Sequence, residues 1–91
     1  MTRDEILDKA ADLITASRDE MYGDPRTNHQ RIADLWSVIL GVEVDADEVI
    51  LCMIAVKMSR LIKTPEHEDS WVDIAGYAAL GGEITGEQSC A

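Results

Sequence analysis

The chain contains no phenylalanine, two prolines, two histidines, two cysteines, and eight lysines and arginines against eighteen aspartates and glutamates. Each scarcity excludes something. Two cysteines, Cys52 within an apolar helical run and Cys90 near the C-terminus, do not make a disulfide framework and fit a reducing compartment. His29 and His67 stand apart from any matched cysteine or histidine, so no zinc site is spelled out. A formal net charge of −10 argues against a duplex nucleic-acid binder, because contacts to a phosphate backbone need a basic face. No apolar stretch approaches the length of a membrane span, and no basic start followed by an apolar run opens the chain, so it reads as soluble and cytoplasmic. There is no nucleophile–base motif, phosphate-cradling glycine loop or dinucleotide fingerprint.

What remains is an apolar fraction of 46% in 91 residues, supplied by Ile, Leu, Val, Ala and Met. That is one domain whose own core gives modest stability, which makes a homo-oligomer an expectation. Thr2 with Glu5 forms a capping box ahead of Ile6, Ala10, Leu13 and Ile14, the start of an amphipathic helix expected to end near Tyr22 and Gly23. Asp24 and Pro25 open a second helix, with Ile32, Leu35, Trp36 and Ile39 at three-four spacing until Gly41. Asp45 and Glu48 repeat the capping signature before a run apolar on most faces, "VILCMIAVKMSRLI", expected to be a buried third helix. Thr64 and Pro65 break it, and "SWVDIAGYAALGG" reads as a fourth helix closed by Gly81 and Gly82. The expectation is an all-α, single four-helix domain over residues 1–82 with a polar tail over 83–91, ordered only if a partner holds it.

Chemistry-bearing residues crowd two places. Asp69 and Asp73 are four apart on one helical face, a spacing that can hold Mg²⁺ or simply make a solvated acidic face. Lys57 and Arg60 lie on an otherwise apolar helix. There they must snorkel, pair with a carboxylate such as Asp69 or Asp73, or face a cavity. At the start of the second helix, "YGDPRTNHQR" gathers Tyr22, Arg26, Asn28 and His29: either a capped polar turn, or a helix N-terminus with groups suited to phosphate and base edges. Trp36 and Trp71 read as packing residues or as platforms for a base.

The ordered series "YGDP", "NHQRIADLW", "KMSRL" and "DSWVDIAGYAALGGEI", from Tyr22 to Ile84, resembles a family of small phage and prophage proteins of uncharacterised function. A buried helix followed by Asp-x-x-x-Asp-x-x-x-Tyr is more remotely similar to the MazG-like all-α nucleoside triphosphate pyrophosphatases. That resemblance implies an oligomeric helical bundle with a nucleotide site between helices and Mg²⁺ on clustered carboxylates. The MazG-like enzymes carry two carboxylate pairs. Here Asp69 and Asp73 stand where the second pair belongs, Lys57 and Arg60 replace the first, and Glu48 is the nearest further acid besides Asp45 and Asp47.

Metal-assisted hydrolysis needs several fixed oxygen ligands, so the exchange of cations for acids favours holding an anion over cleaving it. The resulting expectation is a phage-encoded, non-catalytic nucleotide binder acting in the cytoplasm of the infected host. It would sequester a nucleotide-derived defence signal in an inter-helical pocket. Lys57, Arg60 and Arg26 would hold phosphates, and Tyr22, Asn28, His29, Trp71 and Tyr77 would contact base or ribose. Two alternatives stand beside it: a Mg²⁺-dependent nucleotide pyrophosphohydrolase using Asp69 and Asp73, and an acidic interaction protein that covers a basic host surface.

Overall fold

The computed structural model describes residues 1–15 and 24–88, and within them the chain forms four α-helices and no strand. Helix α1 spans Arg3–Ile14, α2 Pro25–Leu40, α3 Ala46–Lys63 and α4 Glu68–Gln88. The starts are set by the local chemistry expected of them. The Thr2 hydroxyl accepts from the Glu5 amide, and the Glu5 carboxylate accepts from the Thr2 amide, each at 3.2 Å. Asp24 accepts from the Arg26 amide at 3.2 Å, with Pro25 in the first turn. The Asp45 amide donates to Glu48 at 2.9 Å. Each supplies a partner to a backbone group that a helix end leaves open. Gly41 closes α2 at φ 72°, a left-handed conformation that costs glycine little, and its amide donates to the Ser37 carbonyl at 3.0 Å.

Ser37 then ties α2 to the start of α3: its hydroxyl accepts from the Val44 amide at 2.9 Å while lying 2.8 Å from the Ala33 carbonyl. Ser37→Ala is expected to leave the half-buried Val44 amide without that acceptor and to cost about 1 kcal/mol, read by urea denaturation with helical circular dichroism unchanged.

α4 is the axis of the bundle, packing on α3 and α1 and touching α2, while α2 leans chiefly on α3. The core joins Ile50 of α3 to Leu80 and Ile84 of α4, with Ile14, Ile54 and Tyr77 around them. Where α1 crosses α4, Gly76 is buried, and a Cβ there would stand 3.2 Å from Cγ2 of Ile14 and 3.9 Å from the Ala10 carbonyl oxygen. The absent side chain is what lets the two helices approach.

Three expectations are corrected. α1 ends at Ile14, where Thr15 turns extended and its hydroxyl bonds back to the Ala11 carbonyl at 2.9 Å; the remainder of the stretch toward Tyr22 lies outside the described residues. α4 does not stop at Gly81 and Gly82 but continues to Gln88. Glycine costs a helix about 1 kcal/mol relative to alanine, and burial of Leu80 and Ile84, at 7% and 6% exposure, offsets that. Finally, α3 is apolar on most faces but not buried on them. Val49, Ile50 and Leu61 are buried, whereas Leu51, Val56, Met58 and Ile62 are exposed, and Cys52 lies at the surface. Among the described residues only α2 and α4 lean substantially on α3, and none of the described helices packs on its outer side. No helix there is long and apolar enough to cross a membrane.

Candidate functional site

A cavity of about 690 Å³ opens where all four helices meet, within the range typical of small-molecule sites. Helical spacing explains its walls. Val49, Met53 and Lys57 repeat at four-residue intervals along α3, as do Val72, Gly76 and Leu80 along α4, and Ile32 and Trp36 along α2. Each series therefore keeps to one face of its helix. Leu13 and Ile14 close the α1 side.

Into this mostly apolar space come five polar side chains: Asn28, His29, Lys57, Asp73 and Tyr77. Lys57 Nζ lies 3.0 Å from Asp73 Oδ2, with the two side chains only 13% and 29% exposed. The pair thus sets a charged donor beside a charged acceptor in a poorly hydrated place, where both interact more strongly than in water. His29 is buried, and its Nδ1 is 2.7 Å from the Pro25 carbonyl. A carbonyl can only accept, so Nδ1 carries the proton and, in the neutral ring, Nε2 keeps a lone pair to offer. The His29 ring stands edge-on to Tyr77, at 6.2 Å between centroids and 89° between planes, a favourable aromatic geometry. Asn28 is half-buried on the cavity wall. Among the described residues no buried side-chain nitrogen or oxygen lacks a partner.

The fold brings Lys57, Asp73, Asn28, His29 and Tyr77 together from three helices, and it places the other sequence candidates elsewhere. Arg60 lies with Ser59, Lys63, Thr64 and His67 in a separate shallow depression at the end of α3. Arg26 bonds to Asp24 and reaches Glu87 at 2.6 Å. The Asp24 contact, reinforced by Glu87, raises its pKa above the usual guanidinium value. The Trp71 indole N–H donates to the Pro65 carbonyl at 2.9 Å and pins the α3–α4 turn. Tyr22 lies outside the described residues.

The two aspartates also part company. Asp73 faces Lys57, whereas Asp69 is 70% exposed and 3.7 Å from Lys9. Among the described residues no group of three or more His, Cys, Asp or Glu side chains is placed to hold a metal ion. A divalent cation would have to take Asp73 from its ammonium partner while Asp69 turns to Lys9 instead, so the residues present do not converge on a Mg²⁺ site.

Reading residue types alone missed most of the apolar walls, above all Met53 and Val72, whereas Trp36, read as a packing residue or a base platform, does line the cavity. The four-residue repeats leading to Lys57 and through Gly76 were the available signal.

A family model described as a domain of unknown function (DUF6378) matches residues 5–85. The "Gene 55 protein" of Mycobacterium phage L5 is 42% identical over 76 residues, covering 82% of this chain and 49% of that protein. The protein of the same name from Mycobacterium phage D29 is 41% identical over 75 residues, covering 82% and 50% respectively. The chain thus spans about half the length of the curated relatives it matches. No solved structure matches.

Proposed function

From the premise that the chain belongs to the DUF6378 family and is similar to mycobacteriophage gene products, we propose that it binds a nucleotide or nucleotide-derived small molecule and holds it intact. The observation that carries this reading is the Lys57–Asp73 pair, 3.0 Å apart in a mostly apolar cavity of about 690 Å³. A nucleobase edge presents a donor beside an acceptor, and an ammonium beside a carboxylate is its complement. The flat ring would lie among Met53, Trp36 and Tyr77, with Asn28 and His29 Nε2 within the same wall for ribose or base.

Lys57 at the site, with Arg26 paired to Asp24 and Glu87 and Arg60 lining a separate depression, suits a ligand of low phosphate charge better than a triphosphate. Separation of Asp69 from Asp73 favours retention over cleavage, since cleavage needs converging oxygen ligands. The remote resemblance to MazG-like proteins supports the ligand class. In a phage-infected cell such a binder would act by withdrawing a nucleotide signal of host defence from the cytoplasm.

The test is to incubate the purified protein with nucleoside mono-, di- and triphosphates and cyclic nucleotides plus Mg²⁺, filter, denature the retained protein, and analyse both fractions by mass spectrometry. A compound depleted from the filtrate and recovered unchanged is the expected result. Release of pyrophosphate with a monophosphate would replace the proposal with an enzyme; a filtrate still holding every nucleotide would end it.

A further inference from the structure

His29 has one ring nitrogen committed and one open. Nδ1 donates to the Pro25 carbonyl at 2.7 Å, one turn earlier on α2, so Nε2, on the far side of the ring, turns away from its own helix. Nε2 has no hydrogen-bond partner among the described residues, yet no side-chain nitrogen or oxygen sealed from solvent there lacks one. It therefore keeps open surface. For a residue only 8% exposed that lines the cavity, that opening is the cavity. In the neutral ring Nε2 is an acceptor and nothing else.

The Lys57–Asp73 pair adds one donor and one acceptor to the same wall. An ammonium has three hydrogens and a carboxylate two oxygens, so each has capacity left after their 3.0 Å contact. His29 joins them from the Asp73 side, its ring edge-on to Tyr77, which follows Asp73 by one turn on the same face of α4. Asn28 and the Tyr77 hydroxyl can each donate or accept and so set no preference. The fixed groups are one donor and two acceptors, the acceptors separated by about a helical turn, roughly 6 Å.

We propose, resting on the nucleotide reading above, that His29 makes the cavity selective for a guanine base. Guanine carries the O6 acceptor and, beside it, two donors on separate atoms, N1–H and the 2-amino group. O6 faces Lys57, N1–H faces Asp73 and the 2-amino group faces His29 Nε2. Hypoxanthine satisfies the pair but has only a C–H to show His29. Adenine and cytosine each offer a single amino group, which would have to serve two acceptors a turn apart. Uracil has one N–H flanked by two carbonyls, so an acceptor would meet an acceptor. Each of these leaves Nε2 without a donor in a mostly apolar cavity, and that loss of its water without replacement is the source of discrimination.

Isothermal titration of the purified chain with GMP, IMP, AMP, CMP and UMP tests the selection. GMP is expected to bind about 10-fold more tightly than IMP, which lacks only the 2-amino group, and more tightly than the other three. His29→Asn retains a donor for the Pro25 carbonyl and removes the Nε2 acceptor; it is expected to lower GMP affinity to that of IMP and to leave IMP unchanged. The wild-type comparison stands even where the variant fails to fold. Any of the other four nucleotides bound as tightly as GMP, or a folded His29→Asn that still prefers GMP over IMP, overturns the selection by His29 and leaves nucleotide binding in place. A chain that takes none of the five, nor any nucleotide of the wider panel, ends both.

Discussion

Asp73→Ala is expected to cost about 3 kcal/mol of stability, because it leaves the Lys57 ammonium, 13% exposed, with no counter-charge in an apolar wall. Lys57→Met is expected to cost less, since the remaining Asp73 carboxylate is the more exposed partner at 29% and finds water more readily. Combining Lys57→Met with Asp73→Leu should recover most of the loss, because two well-packed apolar side chains often replace a buried ion pair at little cost. With Asp73→Leu also measured alone to close the cycle, the deviation from additivity in urea denaturation measures the coupling. The same three variants separate structure from ligand recognition. If the pair reads a base edge, all three lose retention of the nucleotide, including the stable double variant. Retention surviving in the double variant would reduce the pair to a structural role and remove the support for the proposed function.

Gly76→Leu is expected to lower stability by about 3 kcal/mol or more and to release α1. A single Cβ already approaches Ile14 Cγ2 to 3.2 Å and the Ala10 carbonyl oxygen to 3.9 Å, so the further carbons of leucine have no room between α1 and α4. Gly76→Ala is the informative control. Alanine favours a helix by about 1 kcal/mol over glycine, while Ile14 must give by a few tenths of an ångström, so the two effects come close to cancelling. Because Ile14 and Gly76 both line the cavity, the leucine variant should also lose ligand. Amide exchange is expected to accelerate across Ile6–Ile14 before it does so in α3. Uniform loss of protection through all helices would mean that α1 is not a separable unit.

How much of this was legible beforehand varies with the range of the interaction. Thr2 and Glu5, Asp24 and Pro25, Asp45 and Glu48, and Gly41 mark helix ends through contacts between residues a few positions apart. Those contacts are written into adjacent residue types. The end of α4 was misread for the converse reason: glycine at 81 and 82 is a local stop signal, and burial of Leu80 and Ile84 against Ile50 is a distant one that outweighs it. The apolar α3 likewise carried no mark saying which of its faces would meet α4 and which would be left open.

The candidate site divides along the same line. Lys57 stood out as a cation among apolar residues, and its pairing with Asp73 was one of the open alternatives, but the companion cation Arg60, three residues on, turned out to lie outside the cavity. Three residues along a helix turn a side chain by about 300° and move it about 4.5 Å along the axis, enough to put it beyond the wall although the two are neighbours on paper. Asp69 and Asp73 separate similarly, one reaching Lys9 of α1 and the other Lys57 of α3.

The sequence alone therefore determined four helical segments, most of their ends, the acidic charge and an all-α class, since these follow from backbone capping and side-chain periodicity within a few residues. The tertiary structure decided which side chains share the cavity, that His29 and Tyr77 stand edge-on, that Gly76 admits α1, and that among the described residues no helix covers the outer face of α3. Those outcomes depend on how helices of limited area divide the available surface, and no segment carries that information without the others packed against it.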